Sequence, residues 1–223
     1  MDPALDELLK SQPALWRGSD RYNDAVAIPT GFAALDSVLP SRGWSLGGVT
    51  EFMVERPGIG EISLLLHALK RITRDDGQWA AFINPPYLPY APALANAGVR
   101  LDRLLIIDGK SDTDALWAAE QILRTQLFTA VAVWVDKSSA QKQRRLQLAA
   151  ETGRSWAAVY RPAHALKEHS PVSVRMALSP ARGGLNLELI KARGGGTGTV
   201  TISLSAFDRA QGVEWPGMPT ADT

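Results

Sequence analysis

The sequence contains no cysteine. This excludes disulfides, thiol nucleophiles and cysteine-bound metal sites. A large excess of one charge is also missing, because 24 basic and 23 acidic residues leave a formal net charge of +1. Proteins that hold nucleic acid through its phosphates usually carry a larger basic excess or a basic stripe. We therefore expect weak or no direct DNA binding.

Long apolar runs and targeting signals are absent as well. No apolar run approaches the roughly 20 residues that cross a bilayer, and residues 1–7 lack the basic-then-apolar pattern of a signal peptide. The histidines, His67, His164 and His169, lack metal-ligand spacing. The sequence favours a cytoplasmic protein without membrane contact, metal or bound cofactor.

The pattern that is present alternates strands with helices. Strands are predicted at residues 49–54, 79–83, 104–107, 129–135 and 156–160, with helices at 61–73, 90–97, 113–126 and 140–152 between them. This alternation predicts an α/β fold whose mostly parallel central sheet is flanked by helices. After residue 162 no helix separates the predicted strands at 172–178, 185–191 and 199–204. We expect these C-terminal strands to pair antiparallel at one edge.

Three segments are distinguished along the chain. Residues 1–26 are predicted to be an arm or linker, residues 27–207 one α/β domain, and residues 208–223 a flexible tail rich in proline, glycine and polar residues. Trp16 and Trp215 lie in weakly patterned terminal stretches. Aromatic side chains dominate binding hot spots, so both are candidate partner contacts. The alternative is that each packs back onto the domain.

The loop after the first long strand has the context of a phosphate-binding loop, with a strand before it and a helix after it. Such a loop needs a lysine for the phosphates and a hydroxyl for Mg²⁺. Here Gly58 and Gly60 are present, but the lysine position holds Glu61, the hydroxyl position Ile62 and the first glycine position Glu55. At an effective dielectric of about 20, a unit charge about 4 Å from another contributes roughly 4 kcal/mol, and reversing its sign doubles the difference. The loop is therefore predicted to be a degenerate, inactive nucleotide site.

Two further strand ends support this prediction. Asp136 follows the apolar run at residues 129–135, at the position of a magnesium-orienting carboxylate. Without the lysine and hydroxyl it has no metal to position. Asn84, Pro85 and Pro86 follow another strand, where an ATPase of this type needs a carboxylate to activate water. No catalytic residue is predicted.

Three short motifs follow one another along the chain, namely Ile28-Pro29-Thr30-Gly31-Phe32, Gly47-Gly48-Val49-Thr50-Glu51-Phe52 and Ala97-Gly98-Val99. In this order they resemble the core of the RecA recombinase. The resemblance implies a RecA-like core over roughly residues 27–205. It also puts the ATP-binding lysine of that family on Glu61 and the catalytic glutamate on Pro86.

A short RecA-like chain without ATPase motifs is similar to the ImuA family of translesion-synthesis accessory proteins. That resemblance implies a non-catalytic adaptor of SOS-induced, error-prone translesion DNA synthesis. Its partners would be the pseudo-polymerase ImuB and the error-prone polymerase, with RecA as a further candidate.

Two alternatives stay open. Residues 49–162 also resemble SulA, the SOS inhibitor of the division protein FtsZ, which implies FtsZ as the partner. The second alternative is a weak ATPase or ATP sensor with a non-standard site.

A basic run follows Asp136 and includes Arg144 and Arg145. It favours a solvated helix face, and the functional alternative is a modest contact with phosphate or an acidic partner.

Overall fold

The computed structural model describes residues 26–193 and 196–204. The predicted arm with Trp16 and the predicted tail with Trp215 therefore lie outside the described residues. Among the residues that are described, no helix has both the length and the apolar character needed to cross a membrane.

The fold contains ten strands in the described ranges. In chain order they are β1 (Ala27–Ile28), β2 (Trp44–Ser45), β3 (Val49–Val54), β4 (Trp79–Ile83), β5 (Leu104–Ile107), β6 (Phe128–Trp134), β7 (Trp156–Pro162), β8 (Val174–Ala181), β9 (Gly184–Ala192) and β10 (Gly198–Ser203).

Five α-helices connect or cover these strands in the same ranges. They are α1 (Ala33–Val38), α2 (Leu66–Lys70), α3 (Ala91–Asn96), α4 (Asp112–Arg124) and α5 (Ala140–Gly153). Short 3-10 turns occupy Ser63–Leu65, Leu101–Arg103 and Ala163–Lys167, and a π-helical turn at Arg71–Asp75 continues α2.

Eight strands form one sheet in the order β10-β9-β8-β3-β7-β6-β4-β5. All neighbours from β8 to β5 are parallel, whereas β9 and β10 add to β8 in antiparallel fashion. The predicted mostly parallel sheet with antiparallel C-terminal strands is confirmed. One detail differs, since β8 itself pairs parallel with β3 and the antiparallel part begins a strand later. β1 and β2 form a separate two-stranded sheet.

Both faces of the central sheet are buried. Along β6, Ala130 and Ala132 belong to one apolar cluster, and Val131 and Val133 belong to the cluster on the opposite face. This follows from the alternation of side chains along a strand. It explains why residues 129–135 form an almost continuous apolar run.

The helix predicted over residues 61–73 is interrupted. Only Leu66–Lys70 is α-helical, between the 3-10 and π-helical turns. The hydroxyl of Thr73 donates to the carbonyl of Leu69 at 2.7 Å. A hydroxyl bond to the carbonyl four residues earlier often bends a helix, and the pattern of apolar residues carries no sign of it.

Helix α4 is capped by Ser111, because the amide of Asp114 donates to the Ser111 hydroxyl at 3.2 Å. Asp112 lies in the first turn, and its carboxylate accepts from the amide of Lys137 at 2.9 Å. Trp117 is 60% exposed, because it lies on the helix face away from the sheet.

Candidate functional site

The carboxyl ends of β3, β4, β6 and β7 meet at one edge of the sheet, where open α/β sheets commonly bind ligands. A cleft of about 320 Å³ lies there, which we call the carboxyl-end cleft. The predicted site residues Glu55, Glu61 and Asp136 line it. Pro86 lines it too, at the position where the RecA resemblance places a catalytic glutamate.

The side chain of Glu61 folds back onto its own loop. The amide of Gly58 donates to Glu61 Oε1 at 2.8 Å and to Oε2 at 3.1 Å. The amide of Gly60 donates to Oε2 at 3.1 Å. Glu61 is only 3% exposed. The loop amides therefore bind a carboxylate of the same chain.

Glycine is needed at both donor positions. Gly58 has φ of 87° and Gly60 φ of 107°, a region that glycine enters without strain. Amides turned inward in this way form an anion-binding concavity, as in phosphate-binding loops. The sequence predicted that Glu61 would repel a phosphate. The structure adds that its carboxylate fills the concavity. Ile62 packs against the apolar core.

An aromatic stack forms one wall of the cleft. The rings of Trp134 and Tyr160 stack with centroids 4.8 Å apart, and Tyr160 stacks on Phe52 at 4.9 Å. The hydroxyl of Tyr160 donates to the carbonyl of Glu61 at 3.1 Å. Burial, followed by the charge of Glu61, raises the pKa of Tyr160 well above its usual value. β6 and β7 are thereby tied to the glycine loop.

The rim of the cleft is acidic. Glu55 and Asp136 are exposed, and their carboxylates take part in no hydrogen bond or ion pair within the described part of the chain. Only the backbone carbonyl of Asp136 is engaged, by Arg161 Nη2 at 3.4 Å. Asp112 adds a third carboxylate. This charge is opposite to the one that a triphosphate requires.

A buried ionic network next to the cleft was missed from the sequence. The carboxylate of Glu51 accepts from Arg161 Nη1 at 3.1 Å, Arg175 Nε at 2.7 Å and Gln143 Nε2 at 2.8 Å. Both Glu51 and Arg161 have fully buried side chains. Charged residues inside the otherwise apolar β3, β7 and β8 were the visible signal. Which of them pair depends on strand order, which periodicity does not give.

Arg161 extends the network toward solvent. Its Nη2 donates to Glu168 Oε2 at 2.8 Å. This hydrogen bond and the charge of Arg161 lower the pKa of Glu168. Arg161 lines the cleft, but its ion pairs leave little positive charge for a phosphate.

The two predicted contact residues on α5 differ. Arg145 Nη2 pairs with Glu120 Oε2 at 2.8 Å, and Glu120 on α4 is nearly buried. Arg124 also pairs with Glu120, at 3.1 Å. Arg144 is exposed and forms no ion pair with a residue in the described ranges. Arg145 therefore helps to join α4 to α5, whereas Arg144 is accessible to a partner.

Metal ligands do not cluster in this part of the molecule. Within residues 26–193 and 196–204, no group of three or more His, Asp or Glu side chains could hold a metal ion.

Comparison with known proteins gives no match to a family model. The cell division inhibitor SulA of Edwardsiella piscicida is 29% identical over 101 residues, which are 45% of this chain and 60% of that protein. SulA of Photorhabdus laumondii is 26% identical over 114 residues, 51% of this chain and 64% of that protein. The chain thus spans somewhat less than two thirds of these relatives.

RecA of Oceanobacillus iheyensis is 31% identical over 119 residues, 52% of this chain and 33% of that protein. Among solved structures, SulA from Pseudomonas aeruginosa matches with a TM-score of 0.43 and 23% identity, over 51% of this chain and 97% of that one. The chain is related in sequence to SulA and, more weakly, to RecA.

Proposed function

We propose that the protein is a non-catalytic member of the bacterial SOS response that acts by binding other proteins. The observation that carries this proposal is the carboxylate of Glu61, which accepts hydrogen bonds from Gly58 and Gly60 where a nucleotide phosphate would bind. The loop offers neither a lysine nor a magnesium-binding hydroxyl. The relation to SulA and RecA supports the assignment to the SOS response. The RecA-like character of the core stays part of the proposal.

The first candidate function is that of a cell-division inhibitor that binds FtsZ. It is supported by the two SulA proteins, each named a cell division inhibitor, that match about half of this chain. An inhibitor that acts by binding needs no ATP, so a loop filled by the carboxylate of Glu61 is compatible with this candidate.

The second candidate is an adaptor of error-prone translesion synthesis that binds an ImuB-like pseudo-polymerase. About half of the chain lies outside the SulA alignments, and the RecA alignment has a similar extent at slightly higher identity. The relation to RecA is the observation that favours this candidate. Fold similarity alone does not choose between these partners.

Direct binding separates the two candidates. Purified full-length protein is immobilised and exposed in turn to FtsZ and to the ImuB-type pseudo-polymerase of the same organism. Micromolar or tighter binding to FtsZ, with slower FtsZ polymerisation, assigns the inhibitor function. Binding to the pseudo-polymerase alone assigns the adaptor function. If neither binds at 100-fold higher concentration, the proposal is wrong.

The matched variants for this experiment reverse the charge of two exposed cationic residues. Arg144→Glu reverses an exposed charge and is expected to weaken binding to an acidic partner surface at low salt. Lys110→Glu is the control, because Lys110 is also exposed but lies outside α5.

A further inference from the structure

An exposed tryptophan, Trp117, lies on α4 with 60% of its surface open to solvent. It follows Thr113 by four residues and precedes Glu120 by three, and residues at these spacings are neighbours on a helix surface. The Thr113 hydroxyl accepts from Lys142 Nζ of α5 at 2.8 Å. Glu120 Oε2 pairs with Arg145 Nη2 of α5 at 2.8 Å. Trp117 therefore lies beside the line of contact between the two helices, which we call the α4–α5 groove.

A second apolar side chain is exposed on the other helix of the groove. Leu148 on α5 is 49% exposed, and it follows Arg144 by four residues and Arg145 by three, so all three are neighbours. At the far end of the groove, Gln126 Nε2 donates to the carbonyl of Thr152 at 3.4 Å. Contacts thus join the two helices at both ends, and the helices run side by side in the same direction. Each helix contributes one exposed apolar side chain beside the groove.

The charge along the groove is predominantly positive. Arg124 and Arg145 share the carboxylate of Glu120, at 3.1 and 2.8 Å. Lys142 donates to a neutral hydroxyl, and Arg144 forms no ion pair with a residue in the described ranges. These four cations therefore have a single carboxylate among them.

Two further carboxylates lie at the ends of the helices. Asp114 is in the first turn of α4, where it accepts from the Ser111 hydroxyl at 2.8 Å. Glu151 is in the last turn of α5 and accepts from Gln147 Nε2 at 2.9 Å. The middle of the groove, around Trp117, is left with the cations.

These features match an acidic amphipathic helix better than a nucleic acid. A helix that binds in a groove presents apolar side chains at spacings of three and four residues, and acidic residues beside them pair with cations of the groove. Trp117 suits the role of an anchor, since tryptophan is enriched at binding hot spots. Single-stranded nucleic acid instead stacks successive bases on aromatic rings. The two helices contain one aromatic residue, Trp117, and the formal net charge of the chain is only +1.

We propose that the α4–α5 groove binds an acidic amphipathic helix of a partner protein. Apolar side chains of the partner pack on Trp117 and Leu148, and its carboxylates pair with Arg144. The inference rests on the proposed function, because it names the chemistry of the partner that such a binding protein recognises. These three residues do not line the carboxyl-end cleft, so the partner binds while Glu61 stays in its loop.

A peptide titration on the full-length chain tests this proposal. The probe is a fluorescein-labelled amphipathic peptide of about 15 residues, with leucines at spacings of three and four and glutamates on the opposite face. Two matched peptides carry lysine in place of glutamate, or serine in place of leucine. Fluorescein-labelled oligothymidine is the nucleic-acid probe. Fluorescence anisotropy measures binding at low and at physiological ionic strength.

Matched variants locate the binding surface. Trp117→Ala and Arg144→Glu are each expected to weaken binding of the acidic peptide about tenfold. The controls are Tyr87→Ala and Arg74→Glu, because Tyr87 and Arg74 are exposed but lie outside α4 and α5. Circular dichroism verifies that every variant is folded.

The proposal predicts that the acidic peptide binds with a dissociation constant of about 100 μM or tighter, and that the two matched peptides bind about tenfold more weakly. The control variants are expected to bind like the wild type. No binding up to about 1 mM peptide, or equal losses in the groove and control variants, overturns the proposal. Tighter binding of oligothymidine, lost in Trp117→Ala, overturns it in favour of nucleic acid.

The peptide assay and the proposed function fail separately. The assay contains neither FtsZ nor the pseudo-polymerase, so a negative result removes the groove as the binding surface but leaves the experiments with those proteins unaffected.

Discussion

At the residue scale, Glu61 stabilises its loop with its own charge. Its carboxylate accepts three hydrogen bonds from Gly58 and Gly60 while almost fully buried. Hydrogen bonds to a charged acceptor are roughly twice as strong as neutral ones. The side chain therefore has a structural role that does not depend on any ligand.

Replacing this carboxylate tests that role. Glu61→Gln keeps the shape but removes the charge and one acceptor, so it is expected to lower the free energy of unfolding by about 1–3 kcal/mol. Urea denaturation measures the change. Glu55→Gln in the same loop is the control, because an exposed carboxylate with no ion pair to a described residue contributes within about 0.5 kcal/mol. Equal effects of the two substitutions would contradict the role assigned to Glu61.

The buried carboxylate of Glu51 gives a larger expected effect. Glu51→Ala leaves Arg161 and Arg175 without their shared counter-ion, and breaking a buried pair costs about 3–5 kcal/mol. The measurement is again the free energy of unfolding. Glu188→Ala is the control on an exposed strand position. A loss below about 1 kcal/mol for Glu51→Ala would show that the network contributes little to stability.

Only part of this residue-level chemistry could be predicted from the sequence. The charge reversal at Glu61 was visible, because the phosphate-loop pattern assigns a lysine to one position. The bonds from Gly58 and Gly60 were not visible, because they depend on positive φ angles that a one-dimensional pattern does not contain.

At the element scale, the stack of Trp134, Tyr160 and Phe52 joins β6, β7 and β3. Strands were predicted more accurately than helices, since a buried strand leaves a clear apolar run. β3, β4 and β5 match their predicted bounds. The continuous helix predicted at residues 61–73 was wrong, because a 3-10 turn at Ser63–Leu65 and a π-helical turn at Arg71–Asp75 leave only five α-helical residues.

The buried Tyr160 predicts a pH dependence. Its pKa is raised in the folded protein by burial and then by Glu61. Above pH of about 10 the unfolded chain loses this proton while the folded chain keeps it, so stability falls with rising pH by up to about 1.4 kcal/mol per unit. Below that pH the contribution is fully present.

Denaturation of the wild type and of Tyr160→Phe between pH 9 and 11 measures this effect. The variant is expected to have the shallower slope, although its stability at pH 8 is lower because the bond to Glu61 is lost. Tyr87→Phe is the control, because Tyr87 is 69% exposed. Identical slopes for the wild type and Tyr160→Phe would rule out the buried state of this hydroxyl.

Arg144 and Arg145 are adjacent on α5 but are expected to contribute differently to stability. Arg145→Ala removes an ion pair to the nearly buried Glu120 and is expected to cost about 1 kcal/mol. Arg144→Ala is expected to change stability by less than about 0.5 kcal/mol, because the side chain is exposed and unpaired with described residues. Thermal unfolding compares them. If Arg144→Ala destabilised the protein more than Arg145→Ala, Arg144 rather than Arg145 would form the contact between the two helices.

At the scale of the whole molecule, the sheet is the feature that sequence reasoning predicted best. Alternating strands and helices imply parallel pairing, and the loss of intervening helices after residue 162 implies antiparallel pairing. The parallel pairing of β8 with β3 was not predictable, because it depends on the 3-10 turn at Ala163–Lys167 returning the chain to the amino end of the sheet.

The central claim is that the carboxyl-end cleft holds the chain's own carboxylate in place of a nucleotide. Isothermal titration of full-length protein with ATP and Mg²⁺ tests it most directly. The account predicts no detectable binding at millimolar nucleotide, for the wild type and for Gly60→Ala alike. Micromolar affinity in the wild type that is abolished by Gly60→Ala would contradict it.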